Sequence, residues 1–416
     1  MSIVRIYCKT QSYDWGKLGS SSKVATLAVN AADGFQANGS TPYAELWMGT
    51  HPNAPSTTAD AKTPLKDALN AENLSTAVHS AYGGDLPFLF KVLSINKALS
   101  IQAHPDKQLA QELFQNFPKI YKDSNHKPEM AIALTPFEAF INFKPLAEIA
   151  QNLTRFPEFR AVVGEDAAAF FEHQFQQTGD KTVPAAVSAN KQGLKSLFKS
   201  LMEADSARVE QQLRNLVARL GSISQYRVGS TEELVLRLDS QFPSDIGCFC
   251  ALVLNYVCLQ PGEAIFLAAN EPHAYLSGDC VECMASSDNV VRSGLTPKFK
   301  DVPTLVRMLT YNYGPADAQI LRGDPYKATQ YTRLYDPPIA EFSILKTQLQ
   351  QGQTETFEGI AGPSILIVTS GGLLLTQEGH EVAAEEGSVF FIPAGAPVAF
   401  LGQSDSATAY RAFCVV

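Results

Sequence analysis

The stretch Leu99-Ser-Ile-Gln-Ala-His-Pro-Asp106 determines how the rest of the chain is interpreted. It follows the apolar run Leu86–Leu93, which predicts a buried strand. Side chains alternate between the two faces of a strand, so Ser100, Gln102 and His104 would share one face. An imidazole and an amide oxygen on that face could hold a metal ion. A lone Gln-x-His is more often the solvent face of an ordinary strand, so the interpretation depends on the rest of the chain.

The composition is that of a soluble globular protein. Its 416 residues are 45% hydrophobic and 18% charged, which is enough chain for two or three domains. The net charge of -9 argues against a nucleic-acid or anionic-membrane surface, although a local basic pocket could still bind a small anion. No apolar run is long enough to span a bilayer, and the N-terminus lacks a signal-like apolar core. Seven scattered cysteines favour a reducing, cytoplasmic environment, and the Cys280-Val-Glu-Cys283 spacing is interpreted as part of an apolar strand.

The chain divides into β-rich and helical parts. Asp106 is placed to cap a helix that runs to about Leu113. Further along, apolar residues recur at helical spacing in Leu194–Met202 and Val209–Leu220. We predict a mainly β protein with a helical insertion. A catalytic cupin-like β domain comprises residues 1–146 and 237–325, the helical insertion domain residues 147–236, and a C-terminal cupin-like β domain without a metal site residues 326–416.

An internal repeat supports two β domains. A shift of 125 positions places Gly262 on Gly387, and a proline and several apolar residues coincide as well. A glycine turn followed by two strands with a proline between them is typical of half a cupin jelly roll. His273 falls on Val398, so only the first copy carries a candidate metal ligand. We therefore predict two cupin-like jelly rolls, of which the second binds no metal.

Four residues next to apolar strands have side chains that bind metals. Two imidazoles, one carboxylate and one amide oxygen form a mixed nitrogen and oxygen set, which suits zinc. A single carboxylate leaves the site positively charged, so the ion stays Lewis-acidic, as catalysis requires. The four are Gln102, His104, Glu129 and His273. The other histidines lie in loops, turns or helix-like segments and are expected at the surface: His51, His79, His126, His173 and His380.

Two further groups of polar residues could be either functional or ordinary surface residues. Glu45 shares a strand face with Tyr43 and Trp47, so it is either an edge-strand charge or a pocket carboxylate. The segment from 282 to 301 is dense in polar side chains and contains glycine and proline, which suits a solvated loop or a functional one. Its polar residues include Glu282, Asp288, Asn289, Arg292, Lys298 and Lys300.

Six long motifs are spread along most of the chain: Tyr13–Lys17, Tyr43–His51, Leu99–Lys107, Asn125–Ala131, Pro272–Tyr275 and Ser287–Asp301. Together they resemble the type I phosphomannose isomerase family. The resemblance implies a cupin-type enzyme with one zinc ion per chain that interconverts D-mannose 6-phosphate and D-fructose 6-phosphate. It also implies a cis-enediol intermediate and a place in GDP-mannose synthesis and mannose catabolism. The family's zinc ligands match Gln102, His104, Glu129 and His273 one for one, and its active-site arginine matches Arg292.

The candidate roles follow from the chemistry that this resemblance implies. Zinc would polarise the sugar carbonyl, and Arg292 would bridge charged oxygens in the transition state. Ser100 and Lys298 are the candidates for holding the phosphate. The groups able to move the proton are Glu282, a zinc-bound hydroxide, Lys127 and Glu45, of which we favour Glu282 or the zinc-bound water. The other candidate substrate contacts are Trp15, Glu45, Tyr275 and Asp288.

Two other classes of protein have to be weighed against this interpretation. A metal-dependent oxygenase or another cupin enzyme would keep metal positions open for dioxygen, but the Gln102 ligand and the basic loop argue against it. A non-catalytic sugar-binding module with a structural metal would catalyse no isotope exchange at C2 of the sugar. We expect a monomer that binds a small sugar phosphate and has neither nucleic-acid nor membrane partners.

Overall fold

A computed structural model describes residues 2–179, 181–223 and 225–416. Two large, mainly antiparallel sheets dominate these residues, and a block of helices interrupts the first of them along the chain. The predicted fold class, mainly β with a helical insertion, is confirmed. None of the helices in the described ranges combines the length and the apolar character that crossing a membrane requires.

The first sheet carries the candidate site. Its central pair is His273–Ala285 with Phe88–Ile95, and Glu129–Ala133 lies on the other side of the long strand. Eleven of the described strands belong to this sheet. They are Lys9–Gln11, Glu45–Met48, Phe88–Ile95, Ile101–Ala103, Glu129–Ala133, Phe137–Phe143, Leu254–Leu259, Ala264–Leu267, His273–Ala285, Val291–Gly294 and Ile320–Leu321.

The strand Phe88–Ile95 is buried along its whole length, as its apolar sequence predicts. Phe88 and Phe90 enter a core that the first sheet shares with the C-terminal sheet, whereas Leu93 packs in a core within the first sheet. Because side chains alternate along a strand, Lys91 lies on the same face as Leu93. A lysine is therefore held inside the first sheet, next to the candidate site.

The quoted stretch folds as a short strand followed by a helix. Ile101–Ala103 is the strand, which ends before Pro105. The Asp106 carboxylate accepts a hydrogen bond of 2.9 Å from the backbone N–H of Leu109 and so caps the helix Lys107–Asn116. The predicted cap is confirmed, and the helix continues to Asn116 instead of ending near Leu113.

The second sheet brings both ends of the chain together. Val4–Tyr7 pairs with Val389–Ile392, with Val4 opposite Phe391. Eight of the described strands form this sheet: Asp324–Pro325, Thr332–Tyr335, Ser343–Leu349, Ala407–Phe413, Ser364–Ser370, Val389–Ile392, Val4–Tyr7 and Thr57–Thr58. A smaller sheet packs with it and consists of Thr354–Phe357, Val398–Gly402, Gly372–Gln377 and His380–Glu385, while Lys17–Leu18 pairs with Pro42–Tyr43.

The helical part follows the strand Phe137–Phe143. The segments predicted from apolar spacing lie within Pro184–Met202 and Ser206–Gly221, which confirms both as helices. The other helices of this part are Leu146–Arg155, Pro157–Val163, Glu165–Thr178, Thr231–Gln241 and Gly247–Cys250. Outside it, helices cover Lys23–Ala31, Leu65–Ala68, Ala71–Leu74, Thr76–Ala81 and Val302–Met308, and 3-10 turns cover Gly19–Ser21 and Ala316–Gln319.

The repeat found in the sequence recurs in the strand positions. Gly262 and Gly387 both have a left-handed backbone, with φ of 89° and 88°. Each precedes a strand at the same offset, Ala264–Leu267 in one copy and Val389–Ile392 in the other. His273 and Val398 are then the first residues of the next strands.

The paired cysteines are ordinary residues of a buried strand. Cys280 and Cys283 are both free and buried in His273–Ala285, and they pack in different cores. Burial raises the pKa of each thiol well above its usual value. Both therefore act as small apolar side chains, as the sequence predicted.

Candidate functional site

The site begins with three buried side chains that converge from different strands. His104 follows the strand Ile101–Ala103, while Glu129 and His273 each begin a strand. The Nε2 atoms of the two imidazoles lie 3.5 Å from opposite oxygens of the Glu129 carboxylate. One ligand atom from each residue lies within 4.8 Å of the other two. Two nitrogens and a carboxylate at this spacing could hold a metal ion.

Backbone carbonyls orient both imidazoles. The Nδ1 of His104 is 2.7 Å from the carbonyl oxygen of Asn289, and the Nδ1 of His273 is 3.1 Å from that of Glu271. A carbonyl oxygen only accepts, so each Nδ1 carries the proton and each Nε2 presents a lone pair. Metal-binding histidines are commonly oriented by such a second hydrogen bond.

The ligand atoms themselves lack partners. Both Nε2 atoms and Oε2 of Glu129 are buried without a hydrogen bond to any described part of the chain. Burial lowers the pKa of His104 to about 4, so its imidazole is neutral at physiological pH. Burial alone would raise the pKa of Glu129, but Lys127 and His104 hold it well below its usual value. Three buried acceptors that face one another are stabilised by a cation, so this donor set fits zinc.

Strand register places Gln102 and Arg292 beside these ligands. Gln102 lies directly opposite His273 on one side and opposite Arg292 on the other. Directly opposed residues in antiparallel strands project from the same face of the sheet. The three side chains therefore form a row from the metal ligands to a guanidinium. The four predicted ligands are thus brought together, with Gln102 at the half-buried end of the set.

A second cluster of charges is centred on Lys91. Its ammonium lies 3.4 Å from Glu45 Oε2 and 3.3 Å from Glu282 Oε2, and all three side chains are largely buried. The hydroxyl of Tyr275 donates a 2.8 Å hydrogen bond to Glu282 Oε1, and the indole N–H of Trp47 donates to Glu45. Glu45 is therefore a largely buried, paired carboxylate and not an exposed edge-strand charge.

Burial and neighbouring charges together raise the pKa values of both Glu282 and Lys91. Burial raises the pKa of Glu282, the negative charge of Glu129 raises it further, and Lys91 opposes both. For Lys91, burial would lower the pKa, but Glu45 and Glu282 outweigh it and raise the pKa above its usual value. Lys91 is therefore a permanent cation, and Glu282 is a carboxyl poised to exchange a proton nearer neutral pH.

Lys127 connects the two clusters. Its ammonium lies 2.8 Å from Glu129 Oε1, and its side chain is 12% exposed. Its charge lowers the pKa of both Glu129 and Glu282. The metal ligands and the Lys91 cluster therefore act as one electrostatic unit.

A cavity of about 540 Å³ opens onto the row of Gln102 and Arg292. This volume is typical of a small-molecule site. Of the predicted substrate contacts, Trp15, Ser100 and Lys298 line it, and so do Tyr13 and Thr296. Glu45, Tyr275, Glu282 and Lys127 do not line this cavity, because they lie deeper in the sheet around the charged clusters.

Asp288 lies apart from the cavity and the two clusters. Its side chain is 56% exposed, and its carboxylate is 3.9 Å from Nε2 of His51. The neighbouring residue Asn289 contacts the site, through the carbonyl that orients His104. The expectation of surface positions for the remaining histidines is wrong for His51 and His126, whose side chains are 11% and 15% exposed.

Sequence reasoning missed Lys91 altogether, and it missed the role of the Asn289 carbonyl. A lysine inside the apolar run Leu86–Leu93 is a signal that could have been used, because a charge is rarely buried without a partner. Asn289 gave no such signal, because it orients His104 through its backbone.

Three segments of the chain match the models of known protein families. Residues 3–146 match the family described as phosphomannose isomerase type I, catalytic domain. Residues 162–254 match its helical insertion domain, and residues 333–377 match its C-terminal part. The chain belongs to the type I phosphomannose isomerase family.

Curated relatives of this isomerase family match over nearly the whole chain. The mannose-6-phosphate isomerase of Ogataea parapolymorpha is 47% identical, over 99% of this chain and 98% of the relative. The enzyme of that name from Saccharomyces cerevisiae is also 47% identical, with the same coverage. The one from Schizosaccharomyces pombe is 46% identical, over 99% of this chain and all of its own, 100%.

Solved structures of phosphomannose isomerases share the fold. A crystal structure of mannose 6-phosphate isomerase bound with zinc and yttrium is 32% identical and superposes with a TM-score of 0.82 over 100% of both chains. The apo form from Salmonella typhimurium gives 0.81 at the same identity and coverage. In this member of the family, His104, Glu129 and His273 form a site that could hold such a metal ion.

Proposed function

We propose that the protein interconverts D-mannose 6-phosphate and D-fructose 6-phosphate by moving a proton between C1 and C2 through a cis-enediol. The observation that carries the proposal is the row His273, Gln102 and Arg292, which runs from the buried metal ligands to the cavity. It places a guanidinium next to a metal site, where charge develops on the oxygens of an enediol. The named relatives support this choice of substrates.

Gln102, His104, Glu129 and His273 are the residues that would hold zinc. The unpartnered Nε2 atoms and the Glu129 carboxylate supply donors of the type that zinc prefers. Zinc at this position supplies Lewis-acid polarisation of a sugar carbonyl. Asn289 and Glu271 keep the imidazoles in the tautomer that binding requires.

Glu282 is the base that we favour. Its raised pKa makes the carboxylate a stronger base than an ordinary glutamate, which suits a group that takes a proton and returns it to the neighbouring carbon. The Tyr275 hydroxyl and the Lys91 ammonium contact its two oxygens and hold it in one orientation. Lys127 and Glu45 remain the alternatives for this role, since both lie in the same charged unit.

The cavity residues would bind and orient the substrate. Arg292 would contact the oxygens at C1 and C2, because its guanidinium can donate to two acceptors at once. Ser100 and Lys298 line the same cavity and would hold the phosphate group of the substrate. Trp15 would provide an apolar wall against the sugar carbons. Phosphate binding would thus position the reacting carbons at the charged cluster.

Isotope exchange tests the proposed reaction. The zinc-loaded protein should convert fructose 6-phosphate to mannose 6-phosphate in deuterated water, with deuterium appearing at C2 of the product. The Glu282→Gln variant should bind zinc normally yet lose most of the exchange, because the amide cannot take the proton. A zinc-loaded wild-type protein that catalyses neither conversion nor exchange would contradict the proposal. Normal exchange in Glu282→Gln would show that one of the other candidate groups is the base.

The same activity implies the wider role of the protein. It would feed GDP-mannose synthesis in one direction and mannose catabolism in the other. The monomeric state, the cytoplasmic location and the absence of nucleic-acid partners stay predictions from the sequence.

A further inference from the structure

A second cavity, of about 620 Å³, lies where the two large sheets meet. One wall is the turn at Gly262 that precedes the strand Ala264–Leu267 of the first sheet. The other is the face of the C-terminal sheet formed by Thr332–Tyr335 and Ser343–Leu349. None of the candidate catalytic or metal-binding residues lines this cavity.

Two cations lie opposite each other in it, Arg333 exposed and Lys346 half-buried. Arg333 and Lys346 are directly opposite on the paired strands, so both project from the same face. Neither side chain forms an ion pair or a hydrogen bond with any residue in the described ranges. Like charges directly opposite one another destabilise a sheet. Burial, with Arg333 as a further cause, lowers the pKa of Lys346, which is what a bound anion would reverse.

The backbone leaves room for the lysine. A Cβ on Gly262 would lie 2.5 Å from Nζ of Lys346, so the ammonium lies directly against this turn. The φ of 89° at Gly262 also requires glycine. The Tyr335 hydroxyl donates a 2.5 Å hydrogen bond to the Gly262 carbonyl and fixes the turn against the sheet. The turn that this hydrogen bond fixes is therefore the part of the cavity wall against which the ammonium lies.

The two acidic residues on the lining form no ion pair with Arg333 or Lys346 within the described ranges. Glu263 pairs with Arg322 at 2.9 Å, so its charge is already matched. Asp405 is exposed on the lining. Gln348 lies next to the pair, and its amide is a neutral donor and acceptor suited to hydroxyl groups.

We propose that this cavity is a second, non-catalytic site for a phosphate dianion, either free or carried by a small phosphorylated polyol, with Arg333 and Lys346 as its main ligands. The ammonium and the guanidinium would each donate charge-assisted hydrogen bonds to the phosphate oxygens. Glutamines on the lining would contact the hydroxyls of a polyol. The site is independent of the proposed isomerase activity.

Equilibrium dialysis of the zinc-loaded full-length protein with radiolabelled inorganic phosphate, at constant ionic strength, tests this site. Phosphate at the catalytic cavity is measured separately as competitive inhibition of isomerisation. We expect wild-type protein to bind one phosphate per chain in addition to the phosphate that binds at the catalytic cavity and inhibits the reaction. Lys346→Gln and Arg333→Gln should each weaken this extra binding at least about tenfold, because each removes a charged donor, and should leave the inhibition constant unchanged.

Lys181→Gln is the matched control, because it removes the same charge from an exposed position far along the chain in the helical part. It should change neither measurement. Unlabelled glycerol phosphate and unlabelled inorganic phosphate are then compared as competitors of the labelled phosphate. If glycerol phosphate displaces the label at a lower concentration, the natural ligand is a phosphorylated polyol. If it competes equally or more weakly, the ligand is free phosphate. The proposal is overturned if wild-type protein binds only the inhibitory phosphate, or if both variants keep the extra binding. The difference in bound phosphate between wild-type protein and the two variants comes from dialysis alone, so it can be measured even if no isomerase activity is found.

Discussion

The role of Arg292 depends on the shape of its side chain as well as on its charge. Strand register places it next to Gln102. Burial lowers the pKa of Arg292, and no acidic residue in the part of the chain that the structure describes forms an ion pair with it. A guanidinium that is not committed to a carboxylate is available to a substrate. Its planar set of donors can contact two oxygens together, which the single ammonium of lysine cannot do in the same geometry.

Arg292→Lys should therefore reduce kcat by roughly 100-fold, which is the typical loss on removing a transition-state donor, with a smaller change in KM. Steady-state kinetics on both sugar phosphates measures this, and Lys298→Arg, which keeps the charge at the rim of the same cavity, is the control. A rise in KM at constant kcat would mean that Arg292 only holds the phosphate of the ground state. Unchanged kinetics would mean that it does not contact the substrate.

The pKa of Glu282 connects the charged cluster to the pH dependence of the rate. Burial and Glu129 raise this pKa, and Lys91 lowers it. The base form is the carboxylate, so kcat/KM should rise with pH through a pKa above the ordinary glutamate value of about 4.3. Lys91→Met removes the positive charge, so the acidic limb of the profile should move to higher pH. A limb that stays in place in Lys91→Met would show that another group is the base.

At the scale of elements, the N-terminal cap of the helix Lys107–Asn116 lies close to the metal ligand His104. Its cap, Asp106, is two residues after His104, and its carboxylate also accepts a 2.7 Å hydrogen bond from the Asn270 side chain. The cap therefore fixes both the helix and the chain that follows the metal ligand. A cap elsewhere, at Asp205 of the helix Ser206–Gly221, has the same hydrogen bond to its own helix but no ligand nearby.

Asp106→Ala and Asp205→Ala should each lower the free energy of unfolding by about 1 kcal/mol, since each removes a helix cap. Only Asp106→Ala should also weaken zinc binding, by roughly tenfold, because it loosens the support of His104. Denaturant unfolding and a competitive zinc titration of both variants measure the two effects. Equal zinc affinity in the two variants would show that the cap of the helix Lys107–Asn116 does not support the metal site.

The elements also determine what could be predicted from the sequence. The period-two spacing of Gln102 and His104 and the repeat that isolates His273 are local patterns, and the structure places these side chains together. The contact of Lys91 with Glu282 depends on the register between Phe88–Ile95 and His273–Ala285, which are far apart in the chain. No local pattern encodes that register, so the charged cluster could not be assembled from the sequence. Arg333 and Lys346 lie on consecutive strands, but their opposition also depends on a strand register that the sequence does not specify.

At the scale of the whole molecule, the two sheets differ in what their cores contain. The first sheet surrounds the metal ligands and the charged unit, whereas Val398 in the C-terminal repeat packs in an apolar cluster with Phe400. Within the described ranges, His104, Glu129 and His273 are the group of side chains spaced to bind a metal. The stability of both sheets comes from large apolar clusters, because most of their buried residues are hydrophobic.

We therefore expect one tightly bound zinc ion per chain, and we expect the protein to stay folded without it. Elemental analysis of the purified protein should give a zinc-to-chain ratio close to one. Chelation should abolish isomerase activity while the far-UV circular dichroism spectrum is retained, and added zinc should restore the activity, because the apolar cores do not depend on the ion. His273→Ala should lower both zinc content and rate, since it removes one of two imidazole ligands. Two tight zinc ions per chain would contradict the assignment of a metal-free C-terminal sheet, and unfolding on chelation would make the ion a structural one.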